Sequence, residues 1–315
     1  YEGQIGVTLL LYGGVGNDSF NFDNATYWNA YVYGKGGVNT LVVDDRNGAN
    51  APFRTTIRDV SLTHDYGNSG AFTSYAITYT DIGNAAYYGA PATTSLNVLS
   101  VSSDIALGYQ WTVLLNSGND TINVYPHNTV TGAATILGPI GIGGGGGTDV
   151  INFDDSADPT AVSYDITNLY GPSTCNFVGM GAGVGVGSDV ETMNLQGSGK
   201  NDAFRVDSFQ TNNALYIYGN GGDDTVDFTP STKNAPAYLT ALPTFDFVGG
   251  AGADTLRFYN DNASGSFTYI EASTYFEAAN AATNWFLVMQ NAQVETIYAS
   301  GTAQADTFNL NSPPA

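Results

Sequence analysis

Short alternations of apolar and polar residues recur along the chain, each introduced by a glycine-rich stretch. In "YGGVGNDSFNF", residues 12–22, Gly13, Gly14 and Gly16 precede Asp18, and Phe20 and Phe22 then alternate with Ser19 and Asn21. A glycine cluster lets the backbone take φ > 0 and turn sharply, and a period-two tail suits a short strand with one face buried. Other candidate strands, such as "LVV" at 41–43, "SLNVLS" at 95–100 and "VINF" at 150–153, are also short and are separated by Gly, Asn and Asp. This is the punctuation of β structure. Helical periodicity is nearly absent. The alanines of "STYFEAANAATNWF" at 273–286 give one candidate for a short helix, and Asn280 and Asn284 count against it.

The turn and strand repeat together. Close copies are "GGGGTDVIN" at 144–152, "GNGGDDTVD" at 219–227 and "GGAGADTLR" at 249–257. Looser ones are "GKGGVNTLV" at 34–42, with Asn39 in the Asp position, "LNSGNDTIN" at 115–123, "GSGKNDAFR" at 197–205 and "GTAQADTFN" at 301–309. A longer period runs above them: Asp120 to Asp224, Glu191 to Glu295 and Asp202 to Asp306 are each 104 residues apart, and Asp149 to Asp254 is 105. The chain therefore reads as three tandem units, 1–110, 111–212 and 213–315, the first with an insertion near 46–66. Asp18 to Asn39 is 21 residues and Asp202 to Asp224 is 22, which suggests a coil of that length per turn.

Repeats too thin to bury their own apolar faces must stack. The expected fold is all-β, a parallel β-helix or β-solenoid. A sandwich is the runner-up, but it needs hairpins, and two-residue hairpin signals are scarce here. The Asp-x-apolar phase points Val150, Phe153, Val226, Phe228, Leu256 and Phe258 inward.

The turns resemble the Gly-Gly-x-Gly-x-Asp-x-apolar-x nonapeptides of repeats-in-toxin (hemolysin-type) proteins. That resemblance implies calcium held between stacked turns by turn carbonyls and Asp carboxylates. It would make Gly14, Gly16, Asp18, Gly145, Gly147, Asp149, Gly222, Asp224, Gly250, Gly252 and Asp254 the metal-binding residues. The family's repeats run back to back, whereas good copies here are separated by 21 residues or more. The interrupted arrangement looks like the tandem units of very large bacterial cell-surface and secreted proteins. The competing role for these Asp side chains is to hydrogen-bond their own turn backbone.

Charge narrows the partners. Eight Lys and Arg against 29 Asp and Glu leave a net charge of −21, which repels a phosphate backbone or an anionic membrane surface and invites divalent cations. No apolar run approaches the ~20 residues of a membrane span. The single cysteine, Cys175, sits in an apolar stretch and reads as buried.

Catalytic candidates are few. His64 and His127, and the lysines Lys35, Lys200 and Lys233, read as surface residues. The acid pairs Asp44-Asp45, Asp154-Asp155 and Asp223-Asp224 could suggest glycoside chemistry. Neighbours on a strand face opposite ways, however, and pairs that recur with the repeat mark a turn. The chain is read as non-enzymatic and extracellular or cell-surface, a structural protein whose copies stack head to tail into a filament. A glycan-binding adhesin that stacks tyrosines on surface sugars, or a carbohydrate-active β-helix enzyme, is the alternative. For the tyrosines, stacking from rung to rung competes with stacking on sugar. Joining Ala315 to Tyr1 of a second copy would put Asp18 27 residues after Asp306, close to the 22 that separate Asp202 from Asp224.

Overall fold

The computed structural model describes residues 8–23, 29–47, 54–58, 60–68, 71–91, 95–98, 100–101, 111–168, 174–209, 213–239 and 244–310. These are nearly all β, in long ladders rich in parallel pairs, with one short helix at Ala235–Tyr238. The fold belongs to the all-β parallel β-solenoid class. Burial follows the alternation in the sequence: Leu41 and Val43 of Thr40–Asp44, Met193 and Leu195 of Thr192–Gln196, and Leu215 and Ile217 of Ala214–Tyr218 face the core while their neighbours are half-exposed. Phe153, Val226, Phe228, Leu256 and Phe258 are buried as the phase requires, and Val150 is half-exposed. It is the first residue of its strand, one position out of phase with the inward Ile151 and Phe153.

By packing, the chain divides into two compact units. The first contains Tyr1–Pro126, Ala134–Ile151 and Met180–Val190; the second contains His127–Ala133, Asn152–Gly179 and Glu191–Ala315.

In the first unit, Ser19–Asp23, Thr40–Asp44, Asn84–Tyr88, Trp111–Leu114, Ile140–Gly143 and Ala182–Gly187 pair in that order, all parallel. Facing strands Thr8–Tyr12 and Asn29–Tyr33 pair in parallel, and the ladder then enters an antiparallel meander of Ala71–Thr80, Ser61–Asn68 and Arg54–Arg58. Parallel pairing resumes from Arg54–Arg58 to Ser95–Val98 and Thr121–Val124. The expected insertion near 46–66 is thus built into the sheet as two of the meander's strands.

The second unit repeats the scheme. Ser163–Thr167, Ala203–Val206, Thr225–Phe228, Thr255–Phe258 and Thr296–Ala299 are parallel neighbours. Opposite them run Thr192–Gln196, Ala214–Tyr218, Phe245–Val248 and Trp285–Ala292. A meander through Tyr275–Asn280 and Thr268–Ala272 follows, and then the parallel strand Thr307–Leu310. The helix candidate at 273–286 is therefore a β-hairpin. The meander also departs from the expectation of few hairpins: Ala272 pairs with Tyr275 across the two-residue connection Ser273-Thr274, which lacks the Asn-Gly signature.

Candidate functional site

The turn carboxylates that the sequence singles out are brought together in an interlocked ladder. Asp120 N–H donates to Asp149 Oδ1 at 2.7 Å, Asp202 N–H to Asp224 Oδ1 at 2.7 Å, and Asp224 N–H to Asp254 Oδ1 at 2.8 Å. Asp18 N–H donates to Asn39 Oδ1 at 2.9 Å, and Asp254 N–H to Glu295 Oε2 at 2.7 Å. The residue just before each Asp closes the pair in the other direction. Val38 N–H donates to Asn17 Oδ1 at 2.8 Å, Thr148 N–H to Asn119 Oδ1 at 3.0 Å, and Asp223 N–H to Asn201 Oδ1 at 2.9 Å. Ala253 N–H likewise donates to Asp223 Oδ1 at 2.9 Å. Each Asn-Asp or Asp-Asp dipeptide thus fastens its turn to the next by two reciprocal bonds. The preceding Asn or Asp is the partner that reading the Asp alone missed; its signal was the recurring dipeptide at 17–18, 119–120, 201–202 and 223–224.

The glycines answer to this ladder. A Cβ on Gly13, Gly144, Gly219 or Gly249 would collide with Oδ2 of the Asp five residues later, Asp18, Asp149, Asp224 and Asp254 respectively. Gly145, Gly147, Gly222, Gly250 and Gly252 have positive φ, and a Cβ on Gly252 would run into the carbonyl of Gly222 in the neighbouring turn. Gly14 and Gly16 have open space at the Cβ position, so neither is sterically required.

Asn39 shows what the second side-chain atom does. Its Nδ2 donates to the carbonyls of Gly36 at 3.1 Å and Asp81 at 2.9 Å. In Asp224 the corresponding atom is an oxygen: Oδ2 is buried without a hydrogen-bond partner, and it crowds the same point beside Gly219 as the carbonyl oxygen of Gly249. Oδ2 of Asp254 meets the carbonyl of Gln293 beside Gly249 in the same way. Burial, with Asp202, Asp254 and Asp223 adding repulsion, pushes the Asp224 carboxyl up to about 7, and burial also raises Asp254.

Calcium takes six to eight oxygen ligands. Asp149, Asp224 and Asp254 are already engaged through Oδ1, and Asp18 accepts the Gly14 N–H through Oδ2, so further ligands would have to come from turn carbonyls.

Both histidines correct the expectation of a surface position. His64 is 1% exposed, with Nδ1 3.0 Å from Thr55 Oγ1 and Nε2 3.4 Å from Asp45 Oδ2. Burial lowers its pKa to about 4, so it is neutral at physiological pH. Thr55, His64 and Asp45 lie in the order of a nucleophile, base and orienting acid. All three are buried, and Thr55 also meets Tyr87 Oη at 3.2 Å, so the set is an internal polar network beyond reach of substrate. His127 is drawn inward by Asp155 and Asp158: Nδ1 stands 2.9 Å and 3.5 Å from their Oδ2 atoms. The hydrogen bond that the His127 ring N–H donates to Asp155 raises the His127 pKa against the opposing effect of burial.

Other readings hold. Cys175 is buried, and its thiol pKa is raised by burial. Lys35, Lys200 and Lys233 are exposed. Of the exposed tyrosines, Tyr12 stacks on Tyr33 of the adjacent rung, ring centroids 4.8 Å apart and planes 11° from parallel. No family model matches the chain, and the search of curated proteins found no relative.

Proposed function

We propose that the chain is an extracellular structural β-solenoid, a subunit of a bacterial surface filament or matrix in which copies stack head to tail. The observation that supports this most directly is the state of the terminal rungs. Thr8–Tyr12 and Ser19–Asp23 have no outer strand among the described residues, and a cleft opens onto Leu9, Leu11 and Phe22. The last rung of the second unit is alike. Between Thr296–Ala299 and Thr307–Leu310 a cleft of about 340 Å³ is lined by Tyr269, Phe276, Ile297 and Phe308, and Phe308 and Leu310 are 51% and 79% exposed. Free strand edges beside an open apolar core are what soluble solenoids ordinarily cap. Another rung satisfies both the backbone and the apolar surface. Such a contact is heterologous and does not close, so it propagates. The burial of Thr55, His64 and Asp45 supports the non-catalytic reading.

Negative-stain microscopy and light scattering of the purified 315-residue chain test the assembly. Filaments or concentration-dependent growth are expected, and Leu310→Asp should reduce them. A strictly monomeric chain at high concentration would mean that these rungs are covered by other segments of a longer polypeptide. Calcium belongs to the reading only through the turn resemblance. If the turns hold calcium, chelation should lower the melting temperature by several degrees, and no shift on chelation or on adding millimolar calcium would leave these Asp side chains with their turn hydrogen bonds alone.

A further inference from the structure

Two buried carboxylates converge on a single imidazole nitrogen in the second unit. Asp155 and Asp158 follow the strand Val150–Asp154 in a turn closed by Asp158 N–H to the Asp155 carbonyl at 2.8 Å. Their Oδ1 atoms are already engaged. Asp155 Oδ1 accepts the backbone N–H of His127 at 3.1 Å, and Asp158 Oδ1 accepts both the N–H and the hydroxyl of Thr160 at 2.8 Å. Those bonds fix both carboxyl groups and aim both Oδ2 atoms at His127 Nδ1.

A lone N–H cannot serve two acceptors. A proton on Nδ1 serves Asp155 at 2.9 Å and leaves Asp158 Oδ2 at 3.5 Å, on a side chain only 1% exposed, with no hydrogen-bond partner. A cation in the middle would serve all three atoms, which lie within 4.8 Å of one another. Metal bonds of ~2.0–2.1 Å in a tetrahedron place ligand atoms roughly 3.3 Å apart, between the two separations seen here.

We propose that His127, Asp155 and Asp158 bind a divalent transition metal of the zinc class, with one coordination position open to water or an external ligand. One imidazole with two carboxylates suits zinc or its first-row neighbours, whereas calcium takes oxygen ligands alone. The His127 side chain is 11% exposed, which gives the ion a way in. The site does not depend on whether copies assemble.

Titration calorimetry of zinc chloride into the full chain, stripped with chelator and dialysed, is the test. One saturable site per chain is expected, weakened about tenfold or more in Asp158→Asn and His127→Ala. Cobalt(II) in place of zinc should give the intense visible absorption of a four-coordinate ion, and both variants should lose it. Circular dichroism establishes that each variant is folded. If His127→Ala does not fold, Asp158→Asn decides alone, because its amide can keep the Oδ1 bonds to Thr160. Absence of saturable zinc binding by the folded chain, or equal affinity in the folded variants, overturns the assignment.

Discussion

Gly219 and Gly14 occupy neighbouring positions of one motif but face opposite demands. A methyl on Gly219 would strike Asp224 Oδ2 and the Gly249 carbonyl, whereas one on Gly14 meets open space. Gly219→Ala should therefore cost roughly 1–3 kcal/mol in chemical denaturation, and Gly14→Ala should stay within about 0.5 kcal/mol. Equal effects would remove the steric account of the motif. Asp224 makes a second prediction. Its folded pKa, about 7, lies above that of an unfolded aspartate, so the protonated form favours folding. The contribution is full below the unfolded value, near pH 4, and is lost as pH rises through about 7. Melting temperature should fall between pH 5 and pH 8, and Asp224→Asn, which copies the native Asn39, should flatten that slope. Much of this was legible in the sequence: the recurring Asp, the glycine before it and the Asn substitute. What the recurrence could not reveal is that Oδ1 reaches across to the next turn, because a repeat shows that a residue is needed without showing which neighbour needs it.

At the level of elements, alternation located the strands and their buried faces, but it could not separate parallel rungs from antiparallel meanders, since both bury every second residue. The hairpin at 275–292 makes the point. Its alanines suited a helix, yet Asn280 and Asn284 decided the outcome. Asn280 Oδ1 accepts the N–H groups of Ala282 and Thr283 at 3.0 and 3.2 Å, and Asn284 takes a left-handed φ of 54°. Asn280→Ala should cost about 1–3 kcal/mol by leaving those donors and the Ser264 carbonyl without their partner. Phe204 is the corresponding core test. It is fully buried, and its ring stacks on Tyr164, centroids 6.0 Å apart, so Phe204→Ala should cost about 3–5 kcal/mol. A loss under 1 kcal/mol in either variant would contradict the packing described. His64 and His127 were misjudged at this level too, since their carboxylate partners lie 19 and 28 residues away and no local pattern announces them.

For the molecule as a whole, a net charge of −21 sets copies against one another, which bears on the proposed assembly. Assembly should therefore increase with salt, as screening shortens the reach of repulsion to ~8 Å near physiological ionic strength. Growth that weakens with added salt would indicate that ion pairs, rather than apolar rungs, form the junction. The two-way turn clamps have a mechanical meaning as well. They join segments 22 and 30 residues apart, from Asp202 to Asp224 and from Asp224 to Asp254. Under tension each clamp is a discrete breaking point, and its rupture pays out a fixed length of slack. At ~3.3–3.6 Å per residue, single-molecule extension should show steps of roughly 75 and 105 Å, so that a stretched chain absorbs energy in small repeated releases.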